Sequence, residues 1–452
     1  MNKCIIKILF LSIILAGLVV LPQKIHCSNI TLENEIDTLL SAGIKYQKLL
    51  VKNGSRQHMV HLIEADLYDP DVSVALIQAN GTAGEQERLH DMARRYDSTN
   101  IWNVAAAVNG SFWSAYSGFP IGPTFIDGEP IRISRYKEWS SIFFDVENKP
   151  YIGSFDINAA ISGNDGALYK IDNVNRRNDS LEIVVYNKFA GDSVPRVLQG
   201  EVDKFIEDNI SAAWEDSVFR DETDIYFDNE KFENELRFQI RADAREYGYY
   251  KMALSYLLPP AVNRAVPCRI VKVGGGSAGI PENGCVISFG MNDIPASAFS
   301  EGDTVYLNYN TNVFTDKVFK NSVSATPRLV AGGIADEKGE EEGSSSRRFI
   351  NSRLPRTAIG TNKDKTKLYL AVVQRGDRKN GTNGASLQDM AEIMKAVGSY
   401  DAMNLDGGGS SNIYIQDADW LLKFYPEFSR KIALAIAIIR NSGNFYDGFL
   451  DD

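Results

Sequence analysis

The chain has 452 residues, 44% of them hydrophobic and 24% charged, with a formal net charge of −11 at neutral pH. That length can bury one large core or two smaller ones, and the composition is that of a soluble globular protein. The acidic balance repels nucleic acid and anionic lipid, which excludes both as general partners.

Lys3 and Lys7 precede a 14-residue uncharged run, Ile8 to Leu21, followed by Pro22 and a polar stretch. The run is short of the ~20 residues of a membrane span and suits a signal peptide over residues 1–27, with a retained anchor as the alternative because Ile25 and Cys27 are poor residues before a cut. Cleavage would remove Lys3, Lys7 and Lys24 and move the net charge from −11 to −14. The expected address is secreted, periplasmic or cell-envelope, with no stable membrane span after cleavage.

Beyond the leader, Ile30 to Val51 reads as an amphipathic helix, and His58–Asp66 and Val72–Ile77 as paired strands around a Tyr-Asp-Pro-Asp turn. Val104 to Val108 is an apolar strand running into Asn109 and Gly110. Pro120 to Ile133 carries an Asp-Gly hairpin signal at Asp127. Residues 200–251 hold 15 acidic and 7 basic side chains with aromatics at helical spacing, Trp214, Phe219, Tyr226, Phe232 and Phe238 among them, and read as a helical acidic insertion.

Short strands return at Gly284–Phe289 and Thr304–Asn308. Asp336 to Arg353 is polar enough to be a mobile loop. Thr357–Thr361 then pairs with Lys367–Val373 through Asn-Lys-Asp-Lys-Thr. Ser386 and Asp389 form a capping-box pattern ahead of Leu387, Met390, Ala391, Met394 and Val397, a helix stopped by Gly398. With Asp401–Leu405 after it, this segment is a strand–helix–strand crossover. A last apolar run covers Ile432–Ile439. The fold class expected is α/β in the α+β sense, a mixed, β-rich sheet core with flanking helices. Boundaries fall at 28–199, 200–267 for the insertion, and 268–452.

The chemistry-bearing stretch is AMNLDGGGSS, Ala402 to Ser411. A carboxylate at the carboxyl end of a strand is followed by glycines that free backbone N–H groups to face one point, which can hold a charged catalyst and an anion together. The bland alternative is a glycine turn between strands. Histidine is confined to His26, His58, His61 and His90, so a Ser/His/Asp triad or a histidine metal site has little to draw on. Within the body only Cys268 and Cys285 remain, either one disulfide or two buried thiols, and no spacing suits zinc or an EF-hand. No metal and no cofactor is expected.

NGSF at Asn109–Phe112, Gly122 within PIGPTFIDGEPI, the pair Gly332 and Gly333, PRTAIG at Pro355–Gly360 and LDGGGSS occur in this order. In these motifs the chain resembles the phosphodiester glycosidase family, over roughly residues 57–200 and 268–440. Ser111 stands where that family usually has glycine, and Gln374 to Asp377 where it has Asp-Gly. The resemblance implies a hydrolase of a glycosyl phosphodiester, with the active site where the motifs meet.

Cleaving a sugar from phosphate demands charge stabilisation at the anomeric carbon and at the departing phosphate. A phosphate monoester leaves readily, so an anion clamp matters more than a strong general acid. Asp406 is the candidate base or nucleophile. Arg356 offers planar bidentate donors to phosphate, and Gly407, Gly408 and Gly409 add backbone N–H groups. Asn109 is the third catalytic candidate, bonding a sugar hydroxyl or the phosphate. Ser410, Ser411, Thr357, Asn404, Gly122 and Asp377 complete the substrate-binding set.

The expected function is an exported hydrolase cleaving the glycosidic bond of an N-acetylglucosamine-like sugar-1-phosphodiester in a glycan or envelope polymer. Its partner is a carbohydrate phosphodiester, and no pattern sets an oligomeric state. The alternatives are a non-catalytic envelope glycan-binding or assembly protein, and an actin-like-fold phosphate- or nucleotide-binding enzyme.

Overall fold

A computed structural model describes residues 30–163, 166–215, 228–292, 299–344, 346–416 and 430–441, so the leader expected at 1–27 lies outside the described residues. The first of these residues form a hairpin rather than the expected helix, Ile30–Ser41 pairing antiparallel with Ile44–Asn53. Acidic Glu33, Glu35 and Asp37 stand opposite Lys52, Lys48 and Lys45 at 2.6, 2.8 and 2.9 Å, and Gly43 supplies the left-handed turn at φ +72°. Ile44 and Tyr46 bury one face of the second strand in the core between the sheets, and Leu49 and Val51 bury the other face in the cluster with the helix Leu387–Ala396. Cross-strand charge pairing and burial on both faces override a helical reading that the same apolar spacing allows.

Two sheets face each other. The larger runs, in spatial order, Ile30–Ser41, Ile44–Asn53, Arg56–Asp66, Lys367–Val373, Arg356–Thr361, Asp401–Asn404, Arg328–Ala331 and Ile334–Ala335. The smaller runs Ile413–Ile415, Trp102–Asn109, Leu434–Asn441 and Val72–Gln78. Arg56–Asp66 and Val72–Gln78 are therefore strands as expected but not partners, because the intervening turn carries the chain from one sheet to the other.

Ile63, Leu370 and Met403 of the larger sheet meet Val74, Val108 and Ile436 of the smaller in one buried cluster. The helix Leu387–Ala396 covers the outer face of the larger sheet, and Leu89–Thr99 that of the smaller. The capping box at Ser386 and Asp389 is formed, and Arg56 pairs with the same Asp389 carboxylate. Lys367–Val373 and Asp401–Asn404 both pair antiparallel with Arg356–Thr361, so they run parallel with one strand between them, as a crossover requires.

A five-stranded sheet built on Phe319–Ala325 and the Asp127–Gly128 hairpin lends Ile142, Phe144 and Val323 to the same cluster. Its other side meets a second eight-stranded sheet across Phe125, Phe143, Leu254, Ile287 and Leu307. Cys268 and Cys285 sit in that second core as free thiols, and burial pushes Cys268 up to about 12.

The acidic insertion is helical at Val202–Glu215 and Asn229–Arg245, which pack through Val202, Ile206, Ile240 and Ala244. The side chains of Trp214, Phe219 and Tyr226 lie outside the described residues; Phe232 is buried and Phe238 exposed. Lys251–Tyr256 after it is already a strand of the second eight-stranded sheet.

The polar segment Asp336 to Arg353 is not the loose loop expected. Glu342 is buried and accepts from Ser140 N and Oγ, Thr326 Oγ1 and Arg328 N at 2.6–3.1 Å, and Arg347–Asn351 is a helical turn capped by Ser346. A single carboxylate with four donors outweighs the segment's polar composition.

Candidate active site

The segment Leu405 to Asn412 is the crossing between the two facing sheets, leaving Asp401–Asn404 of one and entering Ile413–Ile415 of the other. Its backbone is tied on both sides. Leu405 N–H donates to Thr357 O at 2.8 Å and Gly408 N–H to Pro355 O at 2.9 Å, both on the larger-sheet side, while Asp406 N–H donates to Gly110 O at 3.1 Å, just past a strand of the smaller sheet.

Asn109, buried at the end of Trp102–Asn109, joins the two sides through its side chain. Nδ2 donates to Asp406 O at 2.7 Å, and Oδ1 accepts from Thr357 Oγ1 at 2.8 Å and from Asn412 N at 3.1 Å. Asn109, Thr357 and Asp406 are thus brought together as the motifs suggested, with Asn109 holding the loop rather than facing outward.

Asp406 is partly open to solvent, and its Oδ1 accepts from Gly407 N at 2.8 Å. Burial raises its carboxyl to about 6; the Ser410 hydroxyl, the Gly407 N–H and the charge of Arg430 oppose that rise. The group is therefore mostly ionised at neutral pH and still able to carry a proton. Glycine is required at Gly408 by φ +62°, and a Cβ on Gly407 would come 3.3 Å from Pro355 O.

The loop's amides are largely spoken for: Ser410 N–H donates to Gly407 O and Ser411 N–H to Gly408 O, each at 3.2 Å, in addition to the bonds of Gly407 and Gly408. Gly409 is exposed. Four buried side-chain atoms on or beside the loop have no hydrogen-bond partner: Asn404 Oδ1, Ser411 Oγ, Asn412 Nδ2 and Ser111 Oγ. Buried polar groups left without partners cost stability, and four of them on or beside one loop mark it as a strained part of the fold.

Arg356 is buried, and its guanidinium serves the protein. Nε donates to Ala385 O at 3.0 Å and Nη2 to Ser352 O at 3.1 Å and to Phe349 O, with the guanidinium carbon 5.3 Å from the Phe349 ring centre. Burial lowers it to about 10. Asn404 lies beneath the loop, Nδ2 donating to Thr326 O and Leu405 O at 2.8 and 2.6 Å.

Gly122 packs a hairpin, its φ being +87° and a Cβ there falling 2.2 Å from Ser324 Oγ. Asp377 closes its own turn, accepting from Lys379 N at 2.8 Å and Asn380 Nδ2 at 2.7 Å. Neither Gly122 nor Asp377 hydrogen-bonds the Asp406 loop. Among the described residues no group of three or more His, Cys, Asp or Glu side chains is placed to hold a metal ion.

Sequence reasoning missed Arg430, whose charge acts on the Asp406 carboxyl, and Trp113, the ring beneath that arginine. Arg430 lies with its guanidinium carbon 5.3 Å from the Trp113 ring centre, and its Nε is buried with no partner. The strand that follows it pairs Ala435 with Asn109, which brings the segment before that strand beside the loop after Asn109. Only that cross-strand register could have revealed it; in sequence Arg430 is one arginine before an apolar run.

Residues 263–439 match the family model described as phosphodiester glycosidase, a span that holds Arg356, Asp406 and Arg430 but not Asn109 or Gly122. No curated protein matches the sequence. Among solved structures, a hypothetical protein from Synechocystis superposes with a TM-score of 0.58 at 19% identity, over 91% of this chain and 64% of its own. A Burkholderia pseudomallei K96243 protein described by inference as exported gives 0.50 at 15% identity, over 86% of this chain and 76% of its own. The catalytic domain of zebrafish N-acetylglucosamine-1-phosphodiester alpha-N-acetylglucosaminidase, auto-inhibited by its pro-peptide, gives 0.38 at 14%, over 91% and 82%. The first two likenesses establish a shared fold.

Proposed function

We propose that this chain is an exported hydrolase that breaks the glycosidic bond of a sugar-1-phosphodiester, N-acetylglucosamine-like, in a glycan or cell-envelope polymer. The observation that carries this reading is the pairing at one loop of a carboxyl held near 6 with an arginine stacked on tryptophan. The family match over residues 263–439 supports the reaction class.

The anomeric carbon faces Asp406, whose carboxylate either adds to it or takes a proton from the attacking water. The C1–O bond breaks, its electron pair leaves on the phosphate monoester, and the water oxygen ends on the sugar. Arg430 is the cation available for the negative charge on that phosphate, because Arg356 has Nε and Nη2 committed to carbonyls. Stacking on Trp113 holds the guanidinium in place without consuming its donors. Asn109, Thr357 and Asn404 keep the loop in register.

Hydrolysis of N-acetylglucosamine-1-phosphodiesters and teichoic-acid-like polymers in ¹⁸O water tests this. Label is expected in the released sugar. Label in the phosphate, or no release from any sugar phosphodiester, would overturn the reading.

A further inference from the structure

Away from the Asp406 loop, a cavity of about 270 Å³ is lined by Asp127, Glu129, Lys188, Tyr256, Asn283 and the run Leu257 to Pro260. It shares no lining residue with that loop. The hairpin turn at Asp127 and Gly128 forms one wall, fixed by Asp127 N–H to Asn321 Oδ1 at 2.9 Å and Gly128 N–H to Lys320 O at 2.6 Å. The opposite wall sits close, since a Cβ on Gly128 would fall 1.9 Å from Pro260 O.

Glu129 is 6% exposed and contributes to the lining of the cavity. Its Oε1 is 3.3 Å from Lys188 Nζ, and the Tyr256 hydroxyl, also in the lining, acts on the carboxylate as a second hydrogen-bonding group. A carboxylate in a cavity wall between an amine and a phenol gives an incoming hydroxyl both an acceptor and donors to meet. Among the other lining residues Asp127 accepts, Lys188 donates, Asn283 accepts through its side-chain oxygen, and Leu257 and Leu258 are exposed and apolar.

The charges select among ligands. An anion would meet two carboxylates and a cation would meet Lys188, whereas a neutral polyol meets both acceptors and donors with apolar side chains beside them for its C–H face.

We propose that this cavity is a second carbohydrate site, binding one neutral pyranose unit through Glu129, Asp127, Lys188 and Asn283. On the reading of the chain as a hydrolase of sugar-phosphate polymers, it would hold a sugar of the polymer remote from the bond being cut. Binding there does not depend on catalysis, so the two readings can fail separately.

Saturation-transfer NMR with neutral methyl hexosides and N-acetylglucosamine, on the full chain, tests it. Millimolar binding is expected for wild type and Asp406→Asn alike, weakened about tenfold by Glu129→Ala and by Asp127→Asn, each of which removes a charged hydrogen-bond acceptor. Asparagine tolerates the left-handed conformation at position 127, so the second variant keeps the turn even if the first disturbs folding. Hydrolysis of a short substrate with one sugar should be unchanged by Asp127→Asn. Absence of saturable binding, loss of binding only in Asp406→Asn, or tighter binding of inorganic phosphate or protonated glucosamine would each overturn the proposal.

Discussion

Replacing Asp406 with asparagine separates what that carboxylate does for chemistry from what it costs the fold. Its carboxyl is raised from 3.8 to about 6 mainly by burial, so the folded protein holds a proton there that the unfolded chain has already lost. A raised carboxyl contributes stability that is present at low pH and disappears as pH climbs through about 6. At 1.36 kcal/mol per pH unit the displacement corresponds to roughly 3 kcal/mol, and solvent on the open side of Asp406 trims this to roughly 2.

Asparagine keeps an oxygen to accept from Gly407 N–H and never ionises. Urea unfolding of Asp406→Asn should therefore match wild type near pH 4 and exceed it by roughly 2 kcal/mol near pH 8, while glycosidic cleavage is abolished. A variant no more stable than wild type at the higher pH would refute the argument that burial, not hydrogen bonding, sets this group.

If Asp406 works ionised, kcat/KM should fall about tenfold per pH unit below an apparent value near 6, read from a pH–rate profile. Arg430→Ala should lower kcat/KM by about 10²-fold or more, and because Arg430 holds the Asp406 carboxyl down, the acid limb of that profile should move to higher pH. Arg356→Lys should mainly destabilise, by about 2 kcal/mol in urea melts, since a planar donor set to three carbonyls is lost from a buried site. Asn109→Ala strands Thr357 Oγ1 and Asn412 N and should cost about 2–4 kcal/mol by the same assay.

The second half of the chain was the more readable. Around Leu387–Ala396 the capping box, the apolar stripe and the stop at Gly398 all agree, and local signals of that kind survive without tertiary knowledge. Ile30–Asn53 misled because its apolar spacing fits a helix, and what decides for a hairpin is the pairing of three acids with three lysines across strands. Asp406 with Asn109 and Thr357 was legible because each follows or begins a recognisable strand. Arg430 was not, since its relation to Asp406 passes through the pairing of Leu434–Asn441 with Trp102–Asn109. Arg356 has the chemistry of an anion clamp, but the carbonyls of Phe349, Ser352 and Ala385 that occupy it come from backbone that side-chain patterns do not place.

The side chain of Asn109 reaches partners 248, 297 and 303 residues further along the chain. Contacts that distant form only after large loops have closed, and no local fragment can assemble them. The Asp406 loop is thereby a late product of folding: on the proposed function, a chain that has built its hairpins and helices but not docked its two sheets would be inert. If the chain is exported as proposed, its activity would begin only once the whole body has closed on the far side of the membrane.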